Sequence, residues 1–175
     1  MKLSRTQRGV ALGMAVAAIL TILAYFSPWL PLTHADLDNG IRVWLACSVV
    51  AASWLMISVG RLARHRFFTA GDIDGGGTNH NSAEAMQLQA LLQNTLEQTV
   101  FAVIVYGAWI LLGPPDRHGL LVIFILLFSI GRLLFFTGYS HGAPARALGF
   151  GLTFYPSVAL LIGVLPAAVS QLMTA

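Results

Sequence analysis

Apolar residues recur along this chain in runs long enough to cross a bilayer, which takes about 20 helical residues. Five stretches qualify: about Val10 to Leu30, Ile41 to Gly60, Ala85 to Leu112, Gly119 to Tyr139, and Ala147 to about Met173. None alternates apolar and polar positions over a sustained run, so strands fit poorly. The pattern predicts an all-α integral membrane protein.

The third stretch differs from the others, because its first half is polar. On a helix at about 100° per residue, Gln87, Gln89, Gln93, Asn94, Glu97 and Gln98 fall within one half of the circumference. Leu88, Leu91, Leu92 and Leu96 fall on the other half, with Thr95 and Thr99. Lipid cannot satisfy amides, so the polar face must meet helices, a ligand or the aqueous boundary.

Composition supports the membrane reading. Of 175 residues, 57% are hydrophobic and only 10% charged, against about 25% charged in an ordinary soluble domain. The net charge of +3 then reports topology. With no long basic stripe, nucleic acid is not an expected partner. The single cysteine, Cys47, excludes an intrachain disulfide and sits in an apolar stretch as a packing residue.

The first stretch follows Lys2, Arg5 and Arg8, as a signal peptide would. Its apolar run is long and no small-x-small cleavage site follows, so a retained helix is expected. The chain then divides into an additional helix over 1–35 and a four-helix unit over 36–175. Basic residues alternate between loops. Lys2, Arg5 and Arg8 share a side with Arg61, Arg64, Arg66 and Arg146, while the opposite loops carry only Arg42 and Arg117 beside acids. The positive-inside rule places the N-terminus in the cytoplasm and the C-terminus outside. The compact, loop-poor organisation suggests a bacterial inner membrane.

The longest loop, Phe67 to Ala85, is rich in glycine and predicts mobility. Its run Asp72-Ile73-Asp74-Gly75 has the start of a calcium loop but lacks the other ligands and the closing glutamate, so no metal is expected. Asn81 and Glu84 have the spacing of a capping box opening the third span.

Two charges lie deep in apolar segments, Glu97 in the third span and Arg132 in the fourth. A charge there is costly and marks a functional candidate. The turn Gly113 to His118 joins the two spans into an antiparallel hairpin, and both charges lie at nearly the same distance from it. At ~1.5 Å per residue their depths differ by about 3 Å. This predicts a Glu97–Arg132 ion pair, within one subunit or across an interface, with Asn94 one turn nearer the cytoplasm. Such a pair can fix helix register without chemistry.

A second group gathers at the cytoplasmic edge. Tyr139 shares a helical face with Arg132, and Arg146 opens the fifth span beyond Gly142 and Pro144. Arg61 and Arg64 end the second span at the same boundary. Together they could bind an anionic small molecule between helices. The plainer reading is that interfacial arginines and tyrosines anchor helices.

The order Asn94-x-x-Glu97, a short turn, Arg132, Gly138-Tyr139 and Pro144-x-Arg146 resembles the MAPEG family, the membrane-associated proteins of eicosanoid and glutathione metabolism. The resemblance covers roughly Arg42 to Met173, so the first helix is an addition. It implies a four-helix bundle assembled as a homotrimer in the lipid bilayer. It also implies glutathione as co-substrate, bound between subunits near the cytoplasmic side and transferred to small lipophilic electrophiles or used to reduce peroxides. Carried over by position, Arg146 would stabilise the thiolate and Tyr139 would contact the tripeptide. Asn94, Glu97, Arg132, and Arg61 or Arg64 would line the glutathione site. Two positions where the family commonly carries basic residues hold Ala90 and Gln93. This leaves a second expectation open, a MAPEG-like protein that binds a lipid or amphiphile without glutathione catalysis. A small transporter is a weaker alternative, since paired broken helices are lacking.

Overall fold

The computed structural model describes residues 3–27, 36–75 and 82–174. Five helices account for most of them: α1 (Arg5–Tyr25), α2 (Leu37–Phe68), α3 (Ala83–Leu112), α4 (Leu120–Gly138) and α5 (Ala143–Thr174). All five elements are long and apolar enough to cross a membrane, and no strand occurs among the described residues. The all-α membrane architecture expected from the apolar runs is the one found.

The helices overrun the apolar windows because hydropathy marks only the lipid-embedded part, while caps set the ends. Ser4 and Gln7 close a reciprocal capping box that starts α1 well before Val10. Helix α1 then ends at Tyr25, and the expected end at Leu30 lies outside the described residues. The Asp36 carboxylate accepts from the Asn39 amide and opens α2 before Ile41. Helix α2 continues past Gly60 through its arginines to Phe68. Helix α3 is capped by Ser82, whose hydroxyl accepts from the Ala85 amide. That corrects the expectation of an Asn81–Glu84 capping box; Asn81 itself lies outside the described residues.

The bundle is not wound in sequence order. Helix α2 packs against α3 and α4, and α5 also packs against α3 and α4. The expected α3–α4 hairpin therefore opens across the bundle. The two helices are joined by a short turn but sit on a diagonal, with little direct contact. Trp109, Tyr106, Leu121, Phe124, Phe128 and Leu160 fill the space between the four helices.

Helix α1 lies along α5. Gly9, Gly13 and Ala17, one turn apart, bring the two backbones close. A Cβ on Gly9 would lie 2.9 Å from Pro144, one on Gly13 2.9 Å from the Leu148 amide, and Ala17 meets Gly151. Small residues at this spacing are how membrane helices associate without a hydrophobic driving force.

Candidate functional site

The two halves of the α3 wheel hold in outline: Gln89, Gln93 and Glu97 are exposed and Leu88, Leu91, Thr95 and Thr99 are buried, while Gln98, at the edge of the polar arc, is buried as well. The buried stripe runs through Leu88, Leu91, Thr95, Gln98, Thr99, Ala102 and Tyr106, and adds one amide and several hydroxyls to its apolar residues. In lipid, apolarity does not select the inside of a bundle; size and hydrogen bonding do. The buried stripe fixes the rotation of α3. Glu97 follows Thr95 by two residues, about 200° around the helix, and so faces outward. Gln89 and Gln93 share that outward face, and the Gln93 amide donates to the Glu97 carboxylate at 2.9 Å.

Arg132 points the other way. From α4 its side chain crosses the diagonal of the bundle and is 0% exposed. Nη1 donates to Asn94 Oδ1 on α3 at 3.0 Å, and Nη2 donates to Thr153 Oγ1 on α5 at 2.6 Å. The guanidinium lies 4.6 Å from the Phe135 ring centroid and 5.8 Å from that of Phe128. Within the chain it makes no ion pair with Glu97, which corrects the expectation of an internal Glu97–Arg132 bridge. The matched depth holds, but the rotation of α3 turns Glu97 to the outside, and Asn94 takes its place.

Gly131 and Gly149 let α4 and α5 meet closely enough for Thr153 to reach Arg132. A Cβ on Gly149 would strike the backbone of Phe135 and the Gly131 carbonyl. Thr153 carried no sequence signal of its own, since a threonine in an apolar span more often bonds its own helix. It does that as well, donating to the Phe150 carbonyl at 2.8 Å.

At the basic end of the bundle, α4 passes through a 3-10 turn at Tyr139–His141 into Gly142. Gly142 has φ +90°, a conformation that glycine adopts without strain, and it reverses the chain into α5. The reversal folds Arg146 back over Tyr139, with Cζ 4.3 Å from the ring centroid. Phe135 meets the same ring edge-on at 5.3 Å. Tyr139 and Arg146 are both half-buried, and among the described residues Arg146 makes no hydrogen bond or ion pair.

Arg61 and Arg64 form a separate group. Arg61 lies over the Phe136 ring at 5.4 Å, which ties the end of α2 to α4. Both arginines line an open pocket of about 350 Å3 with His65, Phe68, Thr69, Glu84 and Leu88. That lining comes from the α2 end and the α3 start, and includes neither Tyr139 nor Arg146.

His65, which lines this pocket, belongs to a polar knot absent from the sequence reading. A 3-10 turn at Ala70–Asp72 folds back so that Asp72 is 2% exposed. Its carboxylate accepts from the Ser82 amide at 2.8 Å and the Ser82 hydroxyl at 2.6 Å, and lies 2.8 Å from His65 Nε2. These donors, Ser82 first, hold the carboxyl pKa down at about 2. Asp72 and Ser82 are thus tied together, while 76–81 of the loop expected to be mobile lie outside the described residues. The knot has the residue types of a hydrolytic triad without its geometry. His65 Nε2 faces both Asp72 and Ser82, and Ser82 donates to the acid rather than to the base.

The residues expected in one site therefore form four groups in a single chain: Arg132 with Asn94, Arg146 with Tyr139, Arg61 with Arg64, and Glu97 facing outward. The MAPEG family model matches residues 41–165, spanning α2 to most of α5 and leaving out α1. This chain belongs to the MAPEG family. No curated protein and no solved structure matches it. The MAPEG assignment makes it an integral membrane protein of the family that serves glutathione and eicosanoid metabolism, with α1 as an extra helix before the domain.

Proposed function

We propose that this MAPEG protein is a membrane-bound glutathione-dependent transferase or peroxidase acting on lipophilic electrophiles, assembled as a homotrimer. The observation that carries the chemistry is the Arg146 guanidinium, stacked over Tyr139 with no hydrogen bond or ion pair among the described residues. A fixed cation lowers a thiol's pKa and raises the thiolate fraction. The glutathione thiol gives its proton to solvent at the bundle's basic end. The thiolate pair then forms a C–S bond to the electrophile, and the electrophile's leaving group departs with its electrons. In the peroxidase reaction, two glutathione thiols supply the electrons that convert a hydroperoxide into alcohol and water, leaving the disulfide. The Tyr139 hydroxyl is a donor for the tripeptide.

The outward stripe Gln89, Gln93 and Glu97 supports the assembly. A carboxylate at membrane depth needs a polar neighbour, and among the described residues Glu97 is hydrogen-bonded by the Gln93 amide alone. A second copy against this face would supply more, and would bring the separate groups of one chain toward a shared site. Asn94, Glu97 and Arg132 would shape that site rather than react. By the positive-inside rule its basic end is cytoplasmic.

The test is glutathione binding and turnover by the purified trimer. Millimolar glutathione should raise the thermal unfolding temperature and produce a thiolate absorbance. A chlorodinitrobenzene-type substrate should be conjugated, with Arg146→Ala slowing conjugation by roughly a hundredfold, as when one preorganised donor to a developing anion is removed. Absence of both the thermal shift and conjugation would defeat the proposal.

A second reading, a lipid- or amphiphile-binding MAPEG protein without glutathione chemistry, is favoured by the outward face of α3. Ala90 offers no polar group, and the Gln93 amide is engaged by Glu97. That face presents no cation from α3 itself at these two positions; the one that reaches it is Arg66 of α2, which donates to Gln89 at 3.3 Å. Co-purified lipid between subunits, with no glutathione response, would select this reading.

A further inference from the structure

The pocket between the end of α2 and the start of α3 carries an inference independent of glutathione. Its charged lining is Arg61, Arg64, His65 and Glu84. Arg61 and Arg64 are one turn apart on the same face, both exposed, and neither makes an ion pair among the described residues. Glu84 sits at the rim with its side chain 74% exposed, 3.7 Å from His65 Nδ1. Glu84 shares the pocket without pairing to either guanidinium, and the stacking on Phe136 holds Arg61 toward the bundle. Like charges at this spacing repel, and a shared anion relieves them.

The surroundings select the kind of anion. The apolar window of α2 ends at the arginines, which places them at the hydrocarbon boundary. Val50 and Ile57 precede them on the same side of the helix and are exposed. Gly60 is exposed and adds no side chain beside them, and the space over it is open. Phe68 and Leu88 add apolar walls to the pocket itself. A cationic pocket at the boundary, continued by an exposed apolar track, matches an amphiphile with a negative head. We propose that it holds the phosphate of an anionic phospholipid between Arg61 and Arg64, with an acyl chain along Ile57 and Val50. Basic groups at a membrane surface attract such lipids by about 1 kcal/mol each.

Native mass spectrometry of the detergent-solubilised protein tests this, using phosphatidylglycerol and phosphatidylcholine with identical acyl chains. Phosphatidylglycerol should bind more tightly than phosphatidylcholine. The double variant Arg61→Gln/Arg64→Gln should weaken phosphatidylglycerol binding by about thirtyfold, the factor for ~2 kcal/mol. Glu84→Gln, which removes only the opposing charge, should strengthen it severalfold, and it keeps the test open if the double variant fails to fold. Millimolar inorganic phosphate should not displace the lipid. Equal binding of the two lipids would overturn the proposal, as would wild-type affinity in the double variant. Displacement by inorganic phosphate would overturn the lipid assignment in favour of a free anion. Glutathione enters none of these measurements, so their failure would leave the thiol chemistry untouched.

Discussion

Arg132 and Arg146 lie on either side of the α4–α5 reversal, and both rest against aromatic rings. They differ in how their hydrogen-bond donors are used. Arg132 is fully enclosed and donates to Asn94 and Thr153, so one residue ties three helices at membrane depth. Arg146 is half-buried over the ring of Tyr139 and, among the described residues, makes no hydrogen bond or ion pair. The first cation is enclosed by the fold, with two of its nitrogens engaged and Nε unpaired among the described residues; the second is positioned by the fold at an accessible edge. Depth in the membrane marked Arg132 as the more suggestive residue in the sequence, yet accessibility makes Arg146 the better candidate for chemistry.

The largest expected effect tests the structural side of this contrast. Arg132→Ala should cost about 3 kcal/mol or more, because it leaves a cavity and removes the partner of two polar groups. Arg132→Met keeps the volume and should recover part of the loss. Thermal unfolding in detergent measures both, and a wild-type transition in Arg132→Ala would end the claim that this residue holds the bundle. On the chemical side, the roughly hundredfold loss of conjugation in Arg146→Ala should come with at most about 1 kcal/mol of destabilisation, the scale of one cation–π contact. A variant equally slow and equally unfolded would erase the distinction between the two arginines.

A smaller effect tests the geometry that lets Arg132 reach its partners. Gly149→Ala drives a Cβ into the backbone of Phe135 and the Gly131 carbonyl. The cost should be about 1–3 kcal/mol from overpacking. Combining it with Arg132→Ala should give less than the sum of the two losses, because the separated helices have already forfeited the Thr153 contact.

The smallest effect lies outside the apolar layer, where Asp72 forms a third kind of polar knot. Its pKa is lowered from 3.8 to about 2, so the unfolded loop binds its proton more readily than the folded one. The stabilisation is fully present above 3.8 and is lost as pH falls through about 2. Amide exchange at Ser82 and Ala85 should therefore accelerate selectively in that acid window while the α3 and α4 cores stay protected. Asp72→Asn should show the same loosening at neutral pH. Exchange at these amides that does not respond to acid would break the link between the carboxylate and the loop.

Much of the fold was legible from the spacing of apolar runs, because a bilayer imposes one length on every helix that crosses it. The turn at Gly142 and the boundary arginines also follow from local sequence; the stacking of Arg146 on Tyr139, apart from Arg61 and Arg64, does not. Nor does the diagonal placement of α3 and α4. Either helix could have packed on its neighbour in sequence, and small residues such as Gly131 and Gly149 decide the matter only once their opposing surfaces are known. Thr153 was illegible for the same reason. Its role depends on a side chain arriving from another helix, and its own neighbourhood reads as an ordinary apolar span.

By itself, the sequence determined that this is an all-α membrane protein of five spans, with its basic residues gathered at one end and two charges at matched depth. Apolar length, charge alternation and helical rise are local quantities, and each residue carries them wherever its helix is placed. Only the tertiary structure decided that the two deep charges point apart. The rotation of α3 is set by which of its residues fit between α2 and α5, and polarity alone does not set that rotation in lipid. That one angle sends Glu97 outward and Arg132 to Asn94. It leaves the accessible cation at the bundle's end, where Gly142 folds Arg146 back over Tyr139.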